Sequence, residues 1–112
     1  MAIISWDDFE KIDIRCGTII KIEEFSRARK PAYKVWVDFG NDLGVRQTSA
    51  QITVHYTPEK LVGRKVMGCV NLGTKNIAGF TSEFLLLGFC DAQGAILLPM
   101  IDSTCPNGEK LC

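Results

Sequence analysis

The sequence predicts an all-β chain closed into a small five-stranded barrel, and three observations predict it. Apolar and polar residues alternate with a period of two through most of the chain. Turn residues gather between the alternating runs, as in Gly40-Asn41-Asp42-Leu43-Gly44 and Asp91-Ala92-Gln93-Gly94. Helix signals are confined to two short stretches, one before the first strand and one after the third.

Ser5 opens the first helix. Its hydroxyl can cap the N-terminus, Asp8 stands three residues on, and Ile4 is placed to staple against Phe9, so about two turns are expected. From Ile12 the period becomes two. Ile12, Ile14, Cys16, Thr18, Ile20 and Ile22 fall on one face, with Asp13, Arg15, Lys21 and Glu23 on the other. Gly17 lies inside this strand, where a missing side chain permits sharp coiling. Residues 26–31, Ser-Arg-Ala-Arg-Lys-Pro, are polar, basic and ended by proline, and read as a loop.

The second strand, 33–39, puts Tyr33, Val35, Val37 and Phe39 on one side and Lys34, Trp36 and Asp38 on the other. A hairpin turn at 40–44 leads into a third strand, 45–52. Thr57 and Pro58 then start a short helix that Gly63 closes. A fourth strand follows at 66–72, a glycine-bearing loop at 71–82, a fifth strand at 83–89 and a further one at 95–98. Three strands, a short helix and two strands is the element order of the OB-fold, a Greek-key barrel. The β extension after Phe89 carries Ile96, Leu98 and Ile101, and a second copy of the chain is the simplest partner to bury them, so a homodimer is expected.

A chain of 112 residues, 46% hydrophobic and 23% charged, suits one soluble domain spanning 1–112. Its apolar runs fall far short of the roughly 20 residues of a membrane helix, and the N-terminus lacks signal-peptide character, so a cytoplasmic protein with no membrane insertion is expected. Thirteen basic residues balance thirteen acidic ones, which argues against indiscriminate nucleic-acid binding while leaving room for a local basic patch. The five cysteines form no C-x-x-C pair and read as reduced, mostly buried thiols. With one histidine, His55, read as a surface residue, neither a metal site nor a Cys-His nucleophile has a supporting pattern. No cofactor and no catalytic residue is expected.

Candidate binding residues gather around one face. Arg27, Arg29, Lys30 and Lys34 belong to the loop between strands one and two, which rims the ligand face of OB-folds. Arg46, Gln47, Ser49 and Gln51 on the third strand, with Asn71 and Lys75 from the end of the fourth, would form a groove beside that rim. Asn76 and Ser82 border the same loop. Trp36, Phe80 and Phe84 could stack on bases or receive apolar peptide side chains, Phe84 reading more readily as core.

Several of these stretches together resemble the tRNA-binding-domain class of OB-folds, and within it the CsaA type of protein-secretion chaperone. They are Phe9-x-Lys11-x-Asp13-Ile14-Arg15-x-Gly17-x-Ile19, Val37-Asp38-Phe39-Gly40, Arg46-Gln47-x-Ser49-Ala50-Gln51-Ile52, Tyr56-x-Pro58-Glu59-x-Leu61-x-Gly63, Val70-Asn71-Leu72 and Ile77-Ala78-Gly79-Phe80-x-Ser82-Glu83. The resemblance implies a non-enzymatic homodimer that binds unfolded polypeptide or preprotein for secretion, with tRNA as the alternative ligand of the same face. Relatives that bind tRNA typically carry Lys-Met-Arg-Gly and then Ser-x-Gly-Met, where this chain has Asn76-Ile77-Ala78-Gly79 and Ser82-Glu83-Phe84-Leu85. Two phosphate-binding charges are absent from that loop, and each loss removes a counterion-release contribution. The expectation therefore leans to polypeptide.

Overall fold

The computed structural model describes all residues, Met1 to Cys112. Helix α1 (Trp6–Glu10) starts where Ser5 predicts it, with the Asp8 N–H donating to the Ser5 hydroxyl at 3.0 Å. It is shorter than two turns and buries none of its residues. Strand β1 (Ile14–Glu24) pairs with β2 (Tyr33–Asp38) and with β4 (Lys65–Cys69), both antiparallel. A helical turn, α2 (Gly40–Leu43), takes the place of a tight hairpin and leads to β3 (Val45–Ala50). Helix α3 (Pro58–Leu61) follows with proline in its first turn, and Gly63 ends it with φ +91°.

The strand predicted over 83–89 is cut into β7 (Leu85–Leu86), which pairs with β4, and β8 (Phe89–Cys90), which pairs with β9 (Ile96–Leu97). The main sheet runs β3-β2-β1-β4-β7 and curls into a nearly closed five-stranded antiparallel barrel. The stretch read as a loop, 71–82, holds a hairpin instead. Its strands β5 (Lys75–Ile77) and β6 (Phe80–Ser82) flank Ala78 and Gly79, both at positive φ (49° and 83°). That is the backbone a tight primed turn needs.

Strand β2 keeps the predicted alternation. Tyr33, Val35, Val37 and Phe39 are buried and form the core with Ile19, Ile52, Leu61, Val66, Val70, Phe84 and Leu98. Strand β1 does not. A bulge at Ile20 shifts the register, so that Ile19 pairs with Val37 and Ile22 with Val35. Upstream of the bulge the core-facing positions are therefore Gly17 and Ile19, and the face predicted from Ile12 to Ile20 is inverted. Cys16 is buried on the other side.

The chain's last residues fill a gap left at the edge of β1. Where β2 turns away at Phe39, the segment around Gly108 takes its place, with Cys16 N–H donating to the Glu109 carbonyl and Gly108 N–H to that of Cys16. Gly108 (φ +91°) lies so close to Phe39 that a Cβ there would stand 2.5 Å from its carbonyl oxygen. The tail after Phe89 buries part of its own apolar surface, because Leu98 is core and Ile96 packs against the core. Apolar surface stays exposed in the tail, at Phe89 and Met100, and also at the N-terminus, where Met1, Ile3, Ile4 and Trp6 are all well exposed. Cys16 and Cys69 are buried, whereas Cys90 and Cys112 are exposed and Cys105 half-buried, which corrects the expectation of mostly buried thiols. No helix is long and apolar enough to cross a membrane.

Candidate binding face and groove

The barrel is least closed between the end of β3 and β7. Near the middle of β3 that gap is stitched by side chains. The Gln47 N–H donates to the Glu83 carboxylate at 3.0 Å, the Ser49 N–H to the Ser82 hydroxyl at 3.0 Å, and the Thr48 hydroxyl to the Phe84 carbonyl at 2.7 Å. Beyond Ser49 the stitching stops and a groove of about 950 Å³ opens. Its walls are Ser49, Ala50 and Gln51 on one side and Leu85 and Leu86 on the other, with Ile77 and Ala78 at the tip of the β5–β6 hairpin. Ala32 and Ile96 add to the apolar lining. Arg29 and Lys30 supply its charge, and no carboxylate lines it. The Ser49 and Leu85 walls also border a smaller cavity of about 270 Å³ under the hairpin, reached by Lys75, Ser82 and Phe84.

A second surface lies on the outward side of β2. The Trp36 indole N–H donates to the Gln47 side chain at 3.2 Å, and the Gln47 amide donates to the Thr81 carbonyl at 2.9 Å, which ties the hairpin to the sheet. Phe80 packs edge-on against both Phe25 and Trp36, with ring centroids 5.5 and 5.8 Å away. Lysines sit on these rings: Lys21 over Trp36 at 4.7 Å, and Lys34 over Phe25 at 5.0 Å and Phe80 at 5.1 Å. The surface is cationic and aromatic, but its lysines already engage their own rings. Arg27 is exposed near the hairpin turn at Gly79.

The expected site thus separates into parts. Arg29, Lys30, Ser49 and Gln51 come together in the groove, and Lys34, Trp36, Gln47 and Phe80 on the outward face. Asn71 is occupied at the far end of the barrel, accepting from the Asp13 N–H and donating to the Lys11 carbonyl. Arg46 is nearby, donating to the Val70 carbonyl at 3.3 Å. Arg46 and Gln51 stand five positions apart along the strand, a span of roughly 17 Å, too far for one compact contact. Asn76 shapes the hairpin turn by accepting from the Gly79 N–H, and Ser82 is buried. Phe84 is core, as its apolar setting predicts.

Sequence reasoning missed the apolar groove residues Ile77, Leu85, Leu86 and Ile96, because an isolated apolar run reads as core. It also missed Lys21 and Phe25, whose role depends on the hairpin folding back over β2. Ionisation follows local partners. The Arg15 guanidinium, hydrogen-bonded to Asp13, holds that carboxyl below its usual range. The Cys16 thiol is pushed up to about 11 by burial and by the neighbouring Cys105, so it is no nucleophile at neutral pH. His55 contacts Asp91 at 2.7 Å, a hydrogen bond that lowers the Asp91 pKa.

Comparison with known proteins fits this architecture. The chain is similar to a chaperone CsaA from Bacillus anthracis, with 42% identity and a TM-score of 0.91 over 99% of this chain and 100% of that one. A CsaA chaperone from Picrophilus torridus matches at 40% identity and a TM-score of 0.91, over 98% and 100% of the two chains. Among curated relatives, a methionine–tRNA ligase of Methanococcus aeolicus is 36% identical over 100% of this chain, which spans only 16% of that enzyme's length. The tRNA binding domain profile matches residues 14–110. On that match, which takes in every strand of the barrel, the chain belongs to the tRNA binding domain family.

Proposed function

We propose that this chain is a non-enzymatic, chaperone-like protein that binds unfolded polypeptide, as a homodimer, through the groove between β3 and β7. The observation that carries this reading is the groove itself. Its lining is mostly apolar, long enough for several side chains, and anchored by few polar groups, which is how extended peptides are held. The full-length likeness to CsaA chaperones supports the same reading, and a role in delivering preproteins for secretion extends it. The match to methionine–tRNA ligases covers too little of those enzymes to bring their catalysis with it.

The alternative ligand, tRNA, has the outward face in its favour, where Lys21, Lys34, Trp36 and Phe80 combine charge and rings, and the family's own description. Against it stand the balanced net charge and the hairpin residues Asn76 and Ala78. Titration with a labelled unfolded preprotein and with tRNA, each at low and near-physiological salt, separates the two. Polypeptide binding should depend weakly on salt, whereas about six phosphate contacts would cost orders of magnitude in affinity. Tight tRNA binding that persists at the higher salt, with no polypeptide binding, would reverse the assignment.

A further inference from the structure

The groove is walled by consecutive residues of two strands, 49 to 51 and 85 to 86. Successive side chains of a strand point to opposite faces, so a cavity that meets neighbours in sequence looks onto strand edges. Edges carry backbone donors and acceptors, and here several have no satisfying partner. In the β2–β3 ladder the outward-pointing residues are Gln47 and Ser49, since their N–H groups bond Glu83 and Ser82 and leave β2 to Arg46, Thr48 and Ala50. The next groups along this edge are the Ser49 carbonyl, which receives only a long 3.4 Å contact from the Thr48 hydroxyl, and the Gln51 N–H, which donates to nothing. Across the groove, Leu87 N–H bonds the Met67 carbonyl, so the alternation turns the backbone groups of Leu86 away from β4.

We infer that an extended polypeptide segment docks here as an added strand along Ser49–Gln51, donating to the Ser49 carbonyl and accepting from the Gln51 N–H. This inference rests on polypeptide being the ligand, and it specifies the chemistry of recognition. Main-chain pairing supplies affinity for any sequence that can extend, and alternate side chains supply selection. One set faces Ala50, Leu86 and Ile96, which favours medium-sized apolar residues. Arg29 and Lys30 line the rim without ion-pair partners, so an acidic side chain at one end of the segment is complementary. A segment with alternating β-branched residues and a terminal acidic pair fits these demands.

The test uses a fluorescein-labelled peptide in which Val and Thr alternate ahead of two Glu residues. Two further versions are N-methylated on one or the other set of alternate amides. Anisotropy titrations are run against the whole protein, Gln51→Pro and Gln51→Ala. Proline deletes the Gln51 N–H without breaking an internal bond, and alanine keeps it. At least one methylated peptide should bind about tenfold more weakly, and the parent peptide should bind Gln51→Pro about tenfold more weakly than Gln51→Ala, which loses the same side chain but keeps the N–H. If all three peptides bind every protein equally, strand addition is wrong while polypeptide binding stands. If no peptide binds at all, the underlying ligand assignment fails as well. Peptide affinity that falls as protein concentration rises would give the edge to a second copy of the chain and overturn the inference.

Discussion

Ile19 and Ile22 both face the barrel interior, opposite Val37 and Val35, although they stand three residues apart on one strand. An undisturbed strand would send them to opposite faces. The bulge at Ile20 absorbs the odd residue, adds local twist to β1 and lets one strand pair with β2 in its second half and β4 in its first.

The bulge makes neighbouring isoleucines unequal. Ile19 is fully buried, whereas Ile20 is 48% exposed. Ile19→Ala should cost about 2–5 kcal/mol of unfolding free energy through lost burial and a cavity. Ile20→Ala should cost about 0.5 kcal/mol or less. Urea unfolding of the two variants checks the pair, and equal losses would show that the bulge is misplaced.

Gly17 permits a close approach rather than only a bend. A Cβ there would meet the Val37 side chain at 2.5 Å, and the Asp38 carbonyl oxygen and Phe39 ring at 2.9 Å each. Gly17→Ala should therefore destabilise by about 1–3 kcal/mol, the usual cost of overpacking, although alanine ordinarily suits a strand no worse than glycine. A midpoint of thermal unfolding unchanged from wild type would mean that β1 and β2 yield easily at this crossing.

How much of this was legible in the residues depended on whether the governing contacts were local. The cap at Ser5, the alternation of β2 and the end of α3 at Gly63 are set within a few residues, and each is found where the pattern puts it. The bulge at Ile20 is not, because a run of Thr18-Ile19-Ile20 gives either face an apolar residue, and only the pairing partners choose. The hairpin at 75–82 hides its turn in Ala78-Gly79, an unremarkable pair whose positive φ values are imposed by the strands that flank it. The groove was half legible. Its polar residues, Arg29, Lys30, Ser49 and Gln51, stand out as basic loop and strand edge. Leu85 and Leu86 read as one more buried strand, and only the open side of the barrel makes them a wall.

Acid should weaken the fold through three carboxyls with lowered pKa values: Asp13, hydrogen-bonded by Arg15, Asp91, hydrogen-bonded by His55, and Asp102, bonded first by the Thr104 N–H. A carboxyl whose folded pKa is depressed contributes stability above its unfolded value, about 3.9, and that contribution is lost as pH falls through the folded value. Stability measured by urea unfolding should therefore decline below about pH 4. Asp13→Asn and Asp91→Asn should each be less stable than wild type at pH 6 and show a shallower decline. Parallel curves for wild type and variants would remove these carboxyls as the cause.

Self-association should depend on the N-terminal segment. Ile3 is 96% exposed and Trp6 84%, and with Met1 and Ile4 they make the N-terminal segment an exposed, largely apolar one that helix α1 does not bury. A stretch of this kind rarely remains uncovered in a soluble protein. The expected cover is the same stretch of a second copy, because a two-fold interface brings identical patches together. Sedimentation at micromolar concentration should give twice the chain mass, and an Ile3→Ser, Trp6→Ser variant should sediment as a monomer with an unchanged barrel by circular dichroism. A wild-type monomer would refute the dimer. A variant that stays dimeric would move the interface to other exposed apolar residues, such as Phe89 and Met100 of the tail, which are 73% and 87% exposed.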